Sequence, residues 1–277
     1  MVSGTCQLTG EFGPLVKAHI LPQALTAPDV PGLCFAQAGA GTPPIKRWTS
    51  WYDQSIVTRA GEDILSAYDD WAIVHLRRHR LVWSGWDGND RLVSDDHAVT
   101  PHDADYGIRK IYGLDSNRLR LFALSLLWRA AASRLPELQE IDVRASDLRR
   151  VRRMLIEGDP SPYELFPVTL LQLSTRGGIH NFTPISERVP SDPAQPHNAS
   201  TPIFRFYLDG LVMHFRRNAS RDDVQRMGNV FLGPFDEVAV PTVTFERSWQ
   251  RENLELTLRE VHERWPDRLA RIPGFGR

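Results

Sequence analysis

The chain has 277 residues and a hydrophobic fraction of 42%, enough for one large domain or two modest ones around a real core. Its net charge of −1 excludes a whole-molecule positive field, so any nucleic-acid contact must come from a local patch. Cys6 and Cys34 alone are too few for a disulfide framework. The start lacks a secretory pattern and no apolar run is long enough to cross a bilayer, so a cytoplasmic protein without a membrane partner is expected.

Residues 4–22 read as two short extended segments around a turn at Glu11 to Pro14, the second being LVKAHIL up to Pro22. The stretch Thr26 to Thr49 is rich in proline and glycine and reads as a long irregular loop. Ile64, Leu65, Tyr68, Trp71, Ala72 and Leu76 then recur at helical spacing, predicting an amphipathic helix from Glu62 to about His79. A second hairpin is expected across LVWSGWDGNDRLV, whose Asp87-Gly88 and Asn89-Asp90 carry turn chemistry, and residues 93–113 look polar and irregular.

Asn117 to Leu135 is the strongest helix of the chain, apolar on most sides and stopped by Pro136. Ser146 is the expected N-cap of DLRRVRRMLIE, which Gly158 and Pro160 end. Beyond Pro160 the texture turns to β, with VTLLQLS, IFRFYLDGLVMHF, VFLGPF and AVPTVTF as strands, Asp209-Gly210 as a hairpin turn and residues 183–202 as a loop. NLELTLREVHERWPDRL closes the chain as a helix. The expected fold is α+β: an N-terminal ββα-like region over 1–115, a helical connector over 116–160, and an antiparallel β-rich region with a terminal helix over 161–277.

The residues with chemical content lie near the start. Cys6-Gln-Leu-Thr9 precedes Val16-Lys17-Ala-His19-Ile-Leu-Pro22, and Thr58-Arg-Ala-Gly61-Glu62 follows. This series resembles HNH-type (His-Me finger) endonucleases, in a subgroup with a C-x-x-C knuckle, an H-I-x-P histidine segment and a second C-x-x-C before a glutamate. His19 and Pro22 match the histidine segment, Cys6 the first knuckle cysteine and Glu62 the glutamate. Thr9, Thr58 and Gly61 stand where the other three cysteines belong, and one thiolate of four cannot hold a tetrahedral structural zinc.

The resemblance implies a ββα unit in which His19 is the base that deprotonates water beside one divalent ion, Mg²⁺ or Mn²⁺. Glu62 and Asp63 are its candidate ligands, since hard carboxylate oxygens suit such ions. The same two acids also fit the first turn of a helix, where they meet the dipole favourably. Asp69 and Asp70 read as its solvated face, and His75 and His79, among Arg77, Arg78 and Arg80, as a basic helix end rather than a metal pair. Lys17, Arg149, Arg150, Arg152 and Arg153 are the candidate phosphate contacts, with a solvated helix face as the plainer account of the four arginines.

These residues point to an HNH-related, DNA-directed protein, a metal-dependent phosphodiesterase of mobile-element or defence type. The alternatives are a catalytically inactive HNH-derived binding or scaffold protein, with another protein as partner of the β-rich region, and an inhibitor of another nuclease.

Overall fold

The computed structural model describes residues 2–26, 35–39, 42–178, 183–190 and 200–271. Cys34 and part of the expected 26–49 loop lie outside these. The fold is α+β.

A small hairpin begins the chain, β1 (Ser3–Thr5) pairing with β2 (Phe12–Pro14). Gly10, at φ +86°, makes the turn between them, where a side chain would be strained. The segment LVKAHIL is not one strand, contrary to the periodicity. Leu15 bridges Thr58, and Val16 N–H donates to Val57 O; further on, Ile20 N–H donates to Trp51 O. The segment's backbone donors are thus divided between two stretches of one partner loop, and only β3 (Ala18–His19) forms a ladder of its own. Its partner is β6 (Tyr52–Asp53), reached through a hairpin of β4 (Phe35–Gly39) and β5 (Thr42–Arg47) that replaces part of the expected loop. His19 lies opposite Tyr52.

Helix α1 (Arg59–Arg78) starts one turn earlier than the apolar spacing suggests and buries Gly61, Leu65, Ala72 and Leu76 along one face. The LVWSGWDGNDRLV segment is no hairpin. Asp87 and Gly88 do take the left-handed turn conformation, but Trp83 and Trp86 sink into the core and Arg91 pairs with Thr175 instead. The polar 93–113 stretch holds β7 (His97–Thr100) and the ten-residue β8 (Asp103–Tyr112). Its inward positions include Arg109 beside Ile111, so the usual apolar alternation is broken by a buried cation.

Helix α2 (Ser116–Ala132) is buried on nearly every side and shares one continuous core with Phe204, Phe206, Met213 and Phe215. Each such fully buried large side chain contributes roughly 1.5–3 kcal/mol. Asp115, not an internal residue, caps it by accepting from Arg118 N–H. Helix α3 (Ala145–Glu157) ends at Gly158 in the left-handed conformation; Ser146 lies inside it, and Arg144 at the N-cap offers no side-chain bond.

The remaining strands are β9 (Val168–Leu173), β10 (Ile185–Pro190), β11 (Ser200–Leu208), β12 (Leu211–Arg216) and β13 (Glu237–Val243), with α4 (Arg221–Met227) before β13. Asp209 and Gly210, at φ +49° and +82°, make the predicted tight turn between β11 and β12. VFLGPF supplies only an isolated bridge from Phe231 to Thr169, and β10 occupies part of the expected 183–202 loop. Helices α5 (Trp249–Arg264) and α6 (Pro266–Leu269) follow. The seven-stranded sheet runs β10-β11-β12-β9-β13-β8-β7, antiparallel except between β13 and β9, and so takes strands from both sides of residues 115 and 160. Among the described residues no helix is long and apolar enough to cross a membrane.

Candidate functional site

Four separated sequence positions, 6, 9, 58 and 61, meet at one point. Cys6 is fully buried, and its sulfur accepts from Thr9 N–H at 3.3 Å. A Cβ on Gly61 would lie 2.7 Å from that sulfur and 3.0 Å from Val57 Cβ, so the start of α1 sits against the turn after β1 with no room for a side chain. Burial alone would raise the Cys6 thiol, but the amide and hydroxyl groups of Thr9 and Thr58 bring it below its ordinary value. These are the positions of the two C-x-x-C pairs in the resembling subgroup.

His19 stands nearby, where β3 passes between α1 and α2. Its backbone oxygen accepts from Arg129 Nη1 at 2.9 Å. Arg129 is 1% exposed and grips Asp69 with both terminal nitrogens, Nη1 reaching Oδ2 at 2.9 Å and Nη2 reaching Oδ1. Ser125 of the same helix accepts from Arg129 Nη2 at 2.9 Å and donates its own hydrogen bond to Phe122 O. One guanidinium therefore fixes β3, α1 and α2 together. On the far side of the strand pair Asp53 accepts from Ser55 and Ser133, which ties β6 to the end of α2.

The polar atoms buried here without a hydrogen-bond partner include His19 Nε2, Glu62 Oε2 and Thr58 Oγ1. The same two charges, Arg129 and Asp69, act on both His19 and Glu62. Burial lowers the His19 imidazole, helped by Lys17 and Arg129 and opposed by Asp69, so the ring is neutral at neutral pH. Burial pushes the Glu62 carboxyl up, against the pull of Arg129. A neutral imidazole nitrogen and a carboxyl oxygen thus remain unpartnered beside a rigid ion pair.

The predicted residues divide clearly. His19 and Glu62 are each reached by the charges of Arg129 and Asp69, whereas Asp63 is exposed on α1. Asp69, expected on the solvated face, is instead the carboxylate whose charge acts on His19; it lies seven residues after Glu62, two helical turns along the same face. Lys17 is exposed, with its Nζ 3.9 Å from the centre of the Tyr52 ring, and that ring meets His19 edge-on at 6.3 Å. Arg152 donates to Leu8 O and so serves the packing of α3 on the turn after β1. Arg149, Arg150 and Arg153 are exposed, with Arg150 3.7 Å from Asp147. His75 stacks on Trp71 and shares a 2.8 Å bond with its carbonyl oxygen, as a structural helix end would.

Arg129 and Asp53 were missed as site residues. A sign of Arg129 was present: a charged residue inside the apolar run of α2 requires a buried partner. Among the described residues no group of three or more His, Cys, Asp and Glu side chains is arranged to hold a metal ion. The unpartnered Glu62 oxygen is the donor type that a hard cation of the Mg²⁺ type takes, but it is enclosed as placed, so a cation shared with water and substrate phosphate would need the carboxylate to turn outward. Asp69 has both oxygens engaged by Arg129.

No family model, curated protein or solved structure matches this chain.

Proposed function

We propose that the protein is an HNH-related phosphodiesterase directed at DNA, with His19 as the general base and Glu62 as the carboxylate for one Mg²⁺ or Mn²⁺ ion. The observation that carries this reading is the pair of buried, unpartnered atoms, His19 Nε2 and Glu62 Oε2, beside the Arg129–Asp69 ion pair. Unpaired buried polar atoms cost free energy, and these two are of the kinds, imidazole and carboxylate, that water activation and a hard cation use. The gathering of positions 6, 9, 58 and 61 supports the same ancestry.

In this mechanism the lowered pKa of His19 keeps the imidazole in the neutral form that a general base needs, Tyr52 and the Arg129 bond to the His19 carbonyl hold the strand in place, and Lys17 meets a backbone phosphate from the open side. The bound ion would supply charge neutralisation at the leaving oxygen. Asp69 orients Arg129 and through it His19, which makes both positioning residues.

The test is nicking of supercoiled plasmid with Mg²⁺ or Mn²⁺, with an EDTA control. His19→Ala should lower the rate by about 10²–10⁴-fold, the usual worth of a general base, with folding preserved by circular dichroism. The rate should rise with pH through the titration of His19, at a midpoint below the ordinary histidine value. Absence of any metal-dependent cleavage by the wild-type protein, or cleavage indifferent to His19→Ala, would overturn the catalytic reading. Metal-independent DNA binding in that case would leave a binding protein.

A further inference from the structure

Four described arginines are buried almost completely: Arg109, Arg120, Arg129 and Arg205. Three of them show what burying a guanidinium requires in this molecule. Arg109 spans Asp96 with two 2.9 Å bonds and also reaches Gln172 and His79 O at 2.9 Å. Arg120 donates to the carbonyls of Pro160, Pro162, Leu165 and Phe166 at 2.6–3.2 Å. Arg129 is saturated as described above.

Arg205 is the exception. It is 5% exposed, yet its bonds to Glu187 Oε1 and Gln250 Oε1 are 3.4 and 3.5 Å long, at the limit of hydrogen bonding, and its Nε–H is buried with no acceptor. A guanidinium this dry and this poorly satisfied is costly. Its placement is nevertheless firm. It projects from β11 between Ile185 of β10 and His214 of β12, and its plane centre lies 4.1 Å from the Trp249 ring at the start of α5. His214 Nε2, on the adjacent strand, is also buried without a partner.

Arg205 lines a pocket of about 20 Å³ together with Ile185, Tyr207, Trp249, Gln250 and Asn253. The enclosed part takes one group of about water size, such as one carboxylate oxygen beside the guanidinium, and the rest of the pocket opens to solvent. A guanidinium held against an indole offers its edge as a fork of N–H donors, the geometry that a planar carboxylate matches with two oxygens.

We propose that this pocket is a carboxylate-binding site, in which Arg205 receives the carboxylate head of a small organic acid or of a peptide chain end. Glu187 is the group already beside Arg205; it is held at a distance that leaves the fork largely unused, and burial pushes its carboxyl up, so it can take a proton when a second carboxylate enters. The site is independent of the His19 cluster and does not rest on the nuclease reading.

Titration calorimetry with sodium acetate, inorganic phosphate, and a Gly-Gly-Ala tripeptide as free acid or as amide tests the proposal on the full chain. Acetate and the peptide acid should bind saturably, and the peptide amide should not. Arg205→Lys keeps the charge but loses the fork, and should weaken binding at least tenfold. Should Arg205→Lys not fold, Glu187→Gln provides the second arm: removal of the competing carboxyl should tighten acetate binding at least threefold. Peptide acid binding tenfold tighter than acetate assigns the site to a chain end, and the reverse order assigns it to a free small acid. No saturable binding, preference for phosphate over acetate, or unchanged affinity in both variants would overturn the proposal.

Discussion

Helix α2 buries two arginines roughly 13 Å apart along its axis, and they solve the same problem differently. Arg120 donates to backbone carbonyls of the 160–166 loop and lies over the Tyr163 ring; no carboxylate among the described residues bonds it, and burial lowers its pKa to about 10. Arg129 meets a carboxylate from α1, a carbonyl from β3 and a serine of its own helix. Arg120 staples one loop to one helix, whereas Arg129 joins three elements at the cluster that holds His19. The pair shows that burial alone does not tell the two roles apart; the partners of each guanidinium do.

The largest expected effect separates the two ends. Arg129→Met strands the Asp69 carboxylate and should cost about 3–5 kcal/mol in urea unfolding, much of it recovered when Asp69→Leu is added. Failure of the second substitution to restore stability would break the comparison, since Arg129 would then act as a staple like Arg120. Arg120→Met leaves no stranded charge and should cost roughly 1–3 kcal/mol, with any activity per folded molecule unchanged. A loss of activity as large as that of an Arg129 variant would show that both ends serve the site.

The close approach at position 61 sharpens the comparison from the α1 side. Gly61→Ala forces a methyl group against the Cys6 sulfur and should destabilise by about 1–3 kcal/mol, an effect that Cys6→Ala should partly relieve. Simple additivity of the two substitutions would mean that positions 6 and 61 do not share one packing point.

The effect that vanishes at neutral pH concerns the C-terminal sheet. Burial and Arg205 push the His214 imidazole down to about 3. The unfolded chain therefore binds a proton that the folded chain refuses, so stability is full above about pH 6.5 and declines as pH falls toward 3, by up to about 1.4 kcal/mol per pH unit. His214→Leu should flatten that slope between pH 6.5 and 5. An unchanged slope would place the acid sensitivity elsewhere, with His19, His79 and His97, which burial also lowers.

Much of this fold is legible in the chain. Helices α1, α2, α3 and α5 and the Asp209-Gly210 hairpin follow from periodicity and turn chemistry, whereas α4 does not. What escapes is the work of buried arginines. Arg109 disguises β8 as an irregular polar stretch, because a period-two pattern cannot be seen when one inward residue is a cation. Asp69 looks solvated on its helix for the corresponding reason: its partner is 60 residues away, and nothing local announces the pairing. A motif points to Glu62 and not to Arg129, since motifs record spacing along the chain and Arg129 acts across it. The Trp83 to Trp86 segment shows the opposite error, in which sound turn residues suggested strands whose flanks were needed in the core.

The pairing of β8 with β13, Tyr112 against Glu237 and Tyr106 against Val243, also governs how the chain must be born. At about 5–20 residues per second a ribosome takes on the order of ten seconds to travel from one strand to the other. Throughout that interval β8 has β7 on one side and an open backbone edge on the other. A nascent edge of this length invites adhesion to any passing strand. Asp103, Asp105, Arg109 and Lys110 place charge along it, so the cation that hides this strand from the reader of the sequence also guards it from wrong neighbours until its own arrives.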